Sequence, residues 1–270
     1  MANQTGKTNR RQFLKATATA VVSLAVVGSA AYYLRDKSSV QKTGILRPPG
    51  SVDEKDFLYA CIKCGLCVQI CPVSAIKLAD WDSYLSYGTP YIDVNQQACD
   101  FSCDAIQCAE TCPTAAINFQ IFRHAGNEAV APLYKKYPDG FPPEINPFEV
   151  QILAMRRVAD MGVAKITDQE ICLAYHGKGY EGPLGDHHAL LRPPGSKERI
   201  DIAETHVKRE ICDLCVVYCP LGSEAIELKE IGEGRFLPEV KDGCVGCGVC
   251  QMLCPTNPKA IVIEPKEKLV

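Results

Sequence analysis

Four short apolar segments recur along the chain, each a few residues behind a Cys-Pro pair. All four read Ala-Ile, then one variable residue, then a large apolar residue, at 75–78, 116–119, 225–228 and 260–263. Such short apolar stretches after turn-forming residues predict half-buried strands, each following a helix of one to two turns. Further strands are predicted before cysteine-rich segments, at 90–94, 164–167 and 236–240.

Fifteen of the sixteen cysteines fall into four clumps that each end in Cys-Pro, and only Cys172 stands apart. The clumps are Cys61, Cys64, Cys67 and Cys71; Cys99, Cys103, Cys108 and Cys112; Cys212, Cys215 and Cys219; and Cys244, Cys247, Cys250 and Cys254. The first and fourth match the C-x2-C-x2-C-x3-C-P run that holds [4Fe–4S] clusters. Sixteen thiolates are also the number that four such clusters need, so the sequence predicts a chain that carries electrons.

Other uses of the cysteines fit less well. Disulfides within a clump would join cysteines only three positions apart, which crowd one another, and would leave one cysteine of each triple without a partner. Zinc prefers two separated pairs of cysteines. Covalent haem requires a C-x-x-C-H run, which is absent from the sequence. The repeated strand, cluster loop, helix and strand resemble the unit of bacterial ferredoxins. We therefore predict an α+β fold of two ferredoxin-like dicluster modules behind an N-terminal signal or anchor helix.

The predicted organisation follows from these patterns. It comprises a signal or anchor (1–35), an extended lead-in (36–56), a first ferredoxin-like unit (57–120), a connecting segment (121–163) and a second unit (164–270) that contains an inserted loop (173–210). One helix is expected in the connecting segment, with Asn146 as its N-cap, Pro147 in its first turn and Gly162 just past its end. Its buried face would carry Phe148, Ile152, Met155 and Ala159.

The N-terminus predicts export. Residues 9–15 read Asn-Arg-Arg-Gln-Phe-Leu-Lys and precede a mostly apolar stretch at 16–34, the pattern of a twin-arginine signal. This stretch has 19 residues, close to the roughly 20 that span a bilayer, so it predicts either a cleaved signal or an anchor. We expect a periplasmic protein associated with the cytoplasmic membrane. Free thiols there would oxidise, which favours cluster insertion before export.

The charge balance limits the partners. Residues 1–35 hold five Lys or Arg and no acid, which leaves 24 basic and 32 acidic side chains in the remainder, a formal charge of −8. Nucleic-acid binding is excluded on that balance, and docking on a positively charged redox partner is favoured. The inserted loop also contains Leu-Arg-Pro-Pro-Gly-Ser at 191–196, a repeat of 46–51 that the sequence alone does not explain.

At this point the chain resembles the MauM/NapG ferredoxin-type proteins. The matching stretches are the twin-arginine leader, 46–50 ahead of 60–65, 88–91, 161–162 through 168–172, and 236–238 before Cys244. The resemblance implies a periplasmic polyferredoxin with four [4Fe–4S] clusters. It implies as partners a membrane ferredoxin-type subunit that oxidises quinol and a periplasmic reductase, nitrate reductase being the best-known case.

The resemblance also implies that Cys172 begins the third ligand set, with Cys212, Cys215 and Cys219. The chain departs from the family here, because 39 residues separate Cys172 from Cys212 where the family has only a few. The alternative is a buried free thiol at Cys172 and a [3Fe–4S] cluster or another ligand at that site. A second departure is the spacing of three residues between Cys99 and Cys103, where two are usual.

The pairing of clumps has two possible solutions. The gaps between clumps favour modules built from clumps that are neighbours in the sequence, because only 27 residues separate Cys71 from Cys99 and 24 separate Cys219 from Cys244. The similarity of this family to four-cluster subunits of molybdenum oxidoreductases favours nesting, which we expect. Nesting would group Cys61, Cys64 and Cys67 with Cys254; Cys244, Cys247 and Cys250 with Cys71; Cys99, Cys103 and Cys108 with Cys219; and Cys172, Cys212 and Cys215 with Cys112.

The predicted function is therefore an electron relay and not an enzyme, because the sequence shows no nucleophile–base pair or open metal site. One alternative is an integral iron–sulfur subunit of a membrane-associated molybdenum oxidoreductase complex. Another is a maturation or redox-sensing factor, in which the clusters are either structural or sense the redox state.

Overall fold

Short helices alternate with two-stranded antiparallel sheets in the computed structural model, which describes residues 45–80 and 86–266. The α-helices are α1 (Glu54–Ala60), α2 (Leu66–Ile70), α3 (Gln107–Glu110), α4 (Phe119–Lys136), α5 (Pro147–Arg157), α6 (Leu214–Val217) and α7 (Val249–Leu253). The strands are β1 (Ile76–Leu78), β2 (Pro90–Ile92), β3 (Gly162–Ile166), β4 (Tyr180–Pro183), β5 (Leu190–Leu191), β6 (Ile200–Asp201), β7 (His206–Arg209), β8 (Ile226–Gly232), β9 (Arg235–Val240) and β10 (Ile261–Pro265). This mixture confirms the predicted α+β class.

The predicted signal or anchor at 1–35 lies outside the described residues, as does the first part of the lead-in. The described residues all belong to one compact unit, Gly44–Val270. Within 45–80 and 86–266, no helix combines the length and the apolar character needed to cross a membrane.

The first ferredoxin-like module is built on the β1–β2 pair, in which Ile76 lies opposite Ile92. The strand predicted at 116–119 is wrong in its extent, because only a single bridge forms there, between Ser51 and Ile117. The reason is local. The Asn118 side chain accepts a hydrogen bond of 2.9 Å from the Gln120 amide and starts helix α4 at the next residue.

The second module has the same plan with longer strands. β3 pairs with β10 over five residues, from Gly162 opposite Pro265 to Ile166 opposite Ile261. β8 pairs with β9, with Ile226 opposite Val240. The strands predicted at 164–167, 225–228, 236–240 and 260–263 are therefore confirmed, with bounds that differ by a few residues.

The expected helix of the connecting segment is α5. Its N-cap is Asn146, whose side chain accepts a hydrogen bond of 3.1 Å from the Phe148 amide. The helix ends at Arg157, well before Gly162, which instead begins β3. Ile152 and Met155 are buried, but the expectation for Phe148 is wrong because 53% of it is exposed.

The expectation of a single connecting helix is also wrong, because α4 packs on α5. Gly126 of α4 permits this close approach, since a Cβ atom there would lie 2.8 Å from Gln151 Cγ and 3.0 Å from Met155 Cε. Gly126 and the internal Pro132 are both residues that disfavour helices. For this reason the sequence did not predict α4. Packing of α4 against α5 compensates for the low helix propensity of these two residues.

The inserted loop closes on itself. β4 pairs with β7, with Tyr180 opposite Arg209, and β5 pairs with β6 beyond them. The Cys212 amide donates a hydrogen bond of 3.0 Å to the Lys178 carbonyl oxygen. This closure brings the two ends of the 173–210 insert together, so that Cys172 and Cys212 lie close despite the gap in sequence.

The repeated Leu-Arg-Pro-Pro-Gly-Ser segment forms the same turn twice. The Ser51 amide donates to the Pro48 carbonyl oxygen at 3.2 Å, and the Ser196 amide donates to the Pro193 carbonyl oxygen at 3.0 Å. The glycines before these serines have φ near +80°, the value that a type II turn requires. Each turn follows a buried leucine and carries an arginine beside it.

Candidate iron–sulfur sites

Site 1 lies in the first module and contains Cys61, Cys64, Cys67 and Cys112. The four thiols line one cavity, together with apolar side chains that include Phe57 and Pro90. Cys67 lies in α2, whereas Cys112 follows α3 and reaches across from the second clump.

Site 2 is the other half of the same module and contains Cys71, Cys99, Cys103 and Cys108. Burial raises the pKa of the Cys108 thiol well above its usual value, and the nearby Cys103 and Cys71 raise it further. Cys71 follows α2 and so reaches across from the first clump, as Cys112 does in the opposite direction.

Sites 3 and 4 repeat this exchange in the second module. Site 3 contains Cys219, Cys244, Cys247 and Cys250, which line one cavity. Site 4 contains Cys172, Cys212, Cys215 and Cys254, which line another. The structure thus brings all sixteen cysteines into four sets of four, with Cys172 beside Cys212.

The nested pairing is wrong, because neighbouring clumps share a module. Cys254 lies with the third clump and Cys172, not with the first clump. The strand pairs supply the reason, since β1–β2 returns the chain from Cys71 to Cys99 and β8–β9 returns it from Cys219 to Cys244.

The four sets of thiols fit [4Fe–4S] clusters. Burial and nearby thiols raise the pKa of Cys67 to about 11, and burial is also the main cause that raises the pKa of Cys212 to about 11. Such crowded, desolvated sulfurs are stable as thiolates only when a cation offsets their charge. Four thiolates per cluster are the usual ligands, and a bound cluster supplies the ability to accept and release one electron.

Polar groups lie next to the sulfurs in both modules. The Ala75 amide donates to Cys71 Sγ at 3.3 Å, and the Ala164 amide donates to Cys244 Sγ at 3.4 Å. The Thr256 hydroxyl lies 3.2 Å from Cys254 Sγ, and Thr114 takes the equivalent place beside Cys112 at 3.8 Å. Hydrogen bonds to ligand sulfurs are one means by which a protein sets a cluster potential.

The two modules meet between sites 2 and 3. The Cys99 amide donates a hydrogen bond of 3.1 Å to the Cys247 carbonyl oxygen, and the Gln251 side chain donates to Asn95 Oδ1 at 2.9 Å. In the first module the short helices α2 and α3 contact each other between the two sites, and in the second module α6 and α7 do so. The spatial order is therefore site 1, site 2, site 3, site 4.

Sequence reasoning missed the arginines that surround these sites. Arg47 donates to the Pro90 carbonyl oxygen at 2.7 Å beside site 1, and Arg192 donates to the Phe101 carbonyl oxygen at 2.8 Å beside site 2. Both arginines belong to the repeated Leu-Arg-Pro-Pro-Gly-Ser segment. The repeat was the signal that could have identified them.

Comparison with known proteins agrees with this geometry. The family model for the 4Fe-4S dicluster domain matches residues 60–116, which hold sites 1 and 2. The chain is thus an iron–sulfur protein of the ferredoxin type, an electron carrier and not an enzyme.

Relatives of similar length define the family. The chain is 32% identical to the methylamine utilization ferredoxin-type protein MauM of Methylobacillus flagellatus, over 97% of this chain and 86% of that protein. It is 31% identical to MauM of Paracoccus denitrificans, over 98% and 92%, and 31% identical to the ferredoxin-type protein NapG of Escherichia coli, over 95% and 85%. The chain therefore belongs to the MauM/NapG family of ferredoxin-type proteins. No solved structure matches it.

Proposed function

We propose that this chain is a periplasmic relay protein that holds four [4Fe–4S] clusters. It carries electrons from a membrane partner that oxidises quinol towards a periplasmic reductase such as nitrate reductase. The observation that supports this proposal is the arrangement of sixteen thiols into four sets of four that follow one another in space. All sixteen cysteines act as cluster ligands, including Cys172.

The chain contributes burial and spacing. Its loops place the thiols among apolar side chains, which keeps water away from the sites and lowers the local dielectric. Within each module, each clump supplies one cysteine to the other clump's site, and this arrangement holds the two sites side by side. The contact between Cys99 and Cys247 holds sites 2 and 3 together, so that no gap interrupts the series.

Site 1 is the docking end for the membrane partner in this proposal. Cys64 is the exposed thiol of the series. Ile62, which lines the same site, is 63% exposed, and Tyr59 of the preceding helix α1 is 82% exposed. Exposed apolar groups around a functional centre are typical of a protein interface. We assign this end to the membrane partner because the predicted signal or anchor, residues 1–35, precedes this module in the sequence and only the lead-in separates the two.

Anaerobic purification followed by iron and sulfide analysis and low-temperature EPR tests the proposal. About sixteen irons per chain, with coupled signals of reduced clusters after dithionite, is the expected result. A value near fifteen, with an oxidised-state [3Fe–4S] signal, would remove Cys172 from the ligand set. Bound zinc or disulfides with little iron would overturn the proposal.

Kinetics then distinguish a relay from the alternatives. Membrane vesicles that contain the quinol-oxidising partner should reduce the clusters rapidly, and the reduced protein should pass electrons to the periplasmic reductase. A molybdenum subunit that remains bound throughout purification would favour an integral subunit. Clusters that neither reaction reduces or oxidises would favour a maturation or sensing role.

A further inference from the structure

Two segments that lie far apart in the sequence contact each other. One is the loop of three residues between Cys99 and Cys103, and the other is the insert at 173–210. We propose that Arg192 of the insert holds this enlarged ligand loop and raises the redox potential of the cluster at site 2. The inference rests on the proposed function, because it concerns the potential of one of the four clusters.

The ligand loop requires support from outside. Phe101 has a φ of +55°, a left-handed conformation that costs free energy in a bulky residue. Asp100 is 3% exposed, and its Oδ1 atom accepts a hydrogen bond of 2.9 Å from the Ser102 amide. A buried carboxylate beside a ligand is costly unless other groups satisfy it.

Arg192 supplies that support through three separate contacts. Its main-chain amide donates to Asp100 Oδ2 at 2.7 Å. Its guanidinium donates through Nη2 to the Phe101 carbonyl oxygen at 2.8 Å and through Nη1 to Asp104 Oδ1 at 2.9 Å. One residue of the insert therefore contacts three residues of the ligand-loop region, of which Asp100 and Phe101 lie between the two cysteines and Asp104 directly follows Cys103.

Neighbouring contacts fix Arg192 in this position. Leu190 and Gln97 form a reciprocal pair, in which the Leu190 amide donates to Gln97 Oε1 at 2.8 Å and Gln97 Nε2 donates to the Leu190 carbonyl oxygen at 2.6 Å. Leu191 is fully buried. Since the side chain of Arg192 is only 16% exposed, its charge is weakly screened by solvent and salt.

A second cation reaches the same carbonyl group. Arg156, at the end of α5, donates through Nη2 to the Phe101 oxygen at 3.1 Å. Burial and the nearby charge of Arg192 lower the pKa of Arg156, and the Asp104, Cys103 and Asp100 groups act in the opposite direction. Two cations and two carboxylates therefore balance one another beside site 2.

The electrostatic consequence has a definite sign. Reduction adds an electron, so positive charge near a cluster raises its potential and negative charge lowers it. Loss of the Arg192 cation leaves Asp100 and Asp104 with only Arg156 to offset them. The potential of the site 2 cluster must then fall.

The first copy of the repeat gives independent support. Arg47 occupies the same place in its turn, donates to the Pro90 carbonyl oxygen at 2.7 Å, and lies with Cζ 4.5 Å from the centre of the Phe57 ring. Pro90 and Phe57 both line site 1. Each copy of the segment thus brings an arginine to the main chain beside a different site.

EPR-monitored redox titration of the intact protein tests the inference with Arg192→Gln. The matched control is Arg199→Gln, which removes the same charge from an exposed position of the same insert. We expect one cluster potential to shift downward in Arg192→Gln and the other three to stay unchanged. Arg199→Gln should leave all four potentials unchanged. Arg192→Lys should keep the potential of the site 2 cluster close to the wild-type value, because it retains the charge.

Asp104→Asn provides a test of opposite sign that does not depend on the stability of Arg192→Gln. It removes a carboxylate and should raise the potential of the same cluster. Equal titration curves for wild type, Arg192→Gln and Asp104→Asn would overturn the inference. Iron analysis keeps the two proposals apart, since full iron content with no shift contradicts the role of Arg192 alone, whereas absent clusters in the wild type contradict the proposed function.

Discussion

The amide of Cys99 donates a hydrogen bond to the carbonyl oxygen of Cys247 at 3.1 Å. Both residues are in ligand loops, one of site 2 and one of site 3, so the two modules meet through the loops that would hold their clusters. The next residue, Gly248, is the N-cap of α7 and has a φ of +92°. A Cβ atom there would lie 2.3 Å from Val94 Cγ1 of the first module.

This contact predicts that Gly248→Ala separates the modules. The added methyl group must displace Val94, which we expect to cost about 1–3 kcal/mol beyond the cost of the backbone conformation. Gly65→Ala is the matched control, because Gly65 is the N-cap of α2 with a φ of +75° and, chain neighbours aside, no atom of the described residues lies within 4 Å of its Cβ position. Thermal unfolding under anaerobic conditions compares the two variants. Equal unfolding midpoints would contradict the importance of this contact.

Replacement of Cys172 tests the fourth site. Cys172 is buried and lines the same cavity as Cys212, Cys215 and Cys254. We expect Cys172→Ala to lose about four irons, or about one if the site converts to a [3Fe–4S] cluster. Iron analysis and EPR measure the change. Unchanged iron and an unchanged spectrum would show that Cys172 is not a ligand.

The exchange of cysteines within modules predicts which variants act alike. Cys112→Ser and Cys61→Ser should alter the same cluster signal, because both residues line site 1. Cys71→Ser should alter a different signal, that of site 2, although it is only four residues from Cys67. Redox titration with EPR distinguishes the signals. A common signal for Cys61→Ser and Cys254→Ser would instead restore the nested pairing.

Docking at site 1 predicts a kinetic effect without a change of potential. Ile62→Gln places a polar, uncharged side chain in the exposed apolar region beside Cys64 and should slow cluster reduction by membrane vesicles about tenfold, since burial of an amide without a hydrogen-bond partner at an interface costs about 1–3 kcal/mol. Ile231→Gln is the control, because Ile231 is an exposed side chain of β8 in the other module. Equal rates for the two variants would move the docking surface elsewhere.

The sequence predicted the four cysteine clumps and most strands because both depend on local spacing. Strands such as β8 and β10 follow directly from apolar segments behind Cys-Pro. The prediction of a strand at 116–119 failed because the N-cap Asn118 starts helix α4 at Phe119, which leaves Ile117 with a single bridge to Ser51. Local pattern alone does not decide between a strand and a capped helix in so short a segment.

Features that depend on distant contacts were not predictable in this way. The predicted pairing of clumps was wrong because it followed the similarity to larger subunits and not the short gaps between clumps. Each of those gaps contains a strand pair that brings the chain back to the preceding clump. The contacts of Arg192 with the Cys99–Cys103 loop span about ninety positions of sequence. No periodicity in either segment could have indicated that they touch.

The exchange of the fourth cysteine has a consequence for assembly. In each module, every site takes its fourth thiol from the clump that supplies three ligands to the other site. A cluster bound at one site therefore fixes the position of a loop that the other site also needs. Metal binding of this kind is coupled to folding, and within a module it should be cooperative. In the chain with all sixteen cysteines, we expect each module to gain its two clusters together, so that half-filled modules should be rare during maturation.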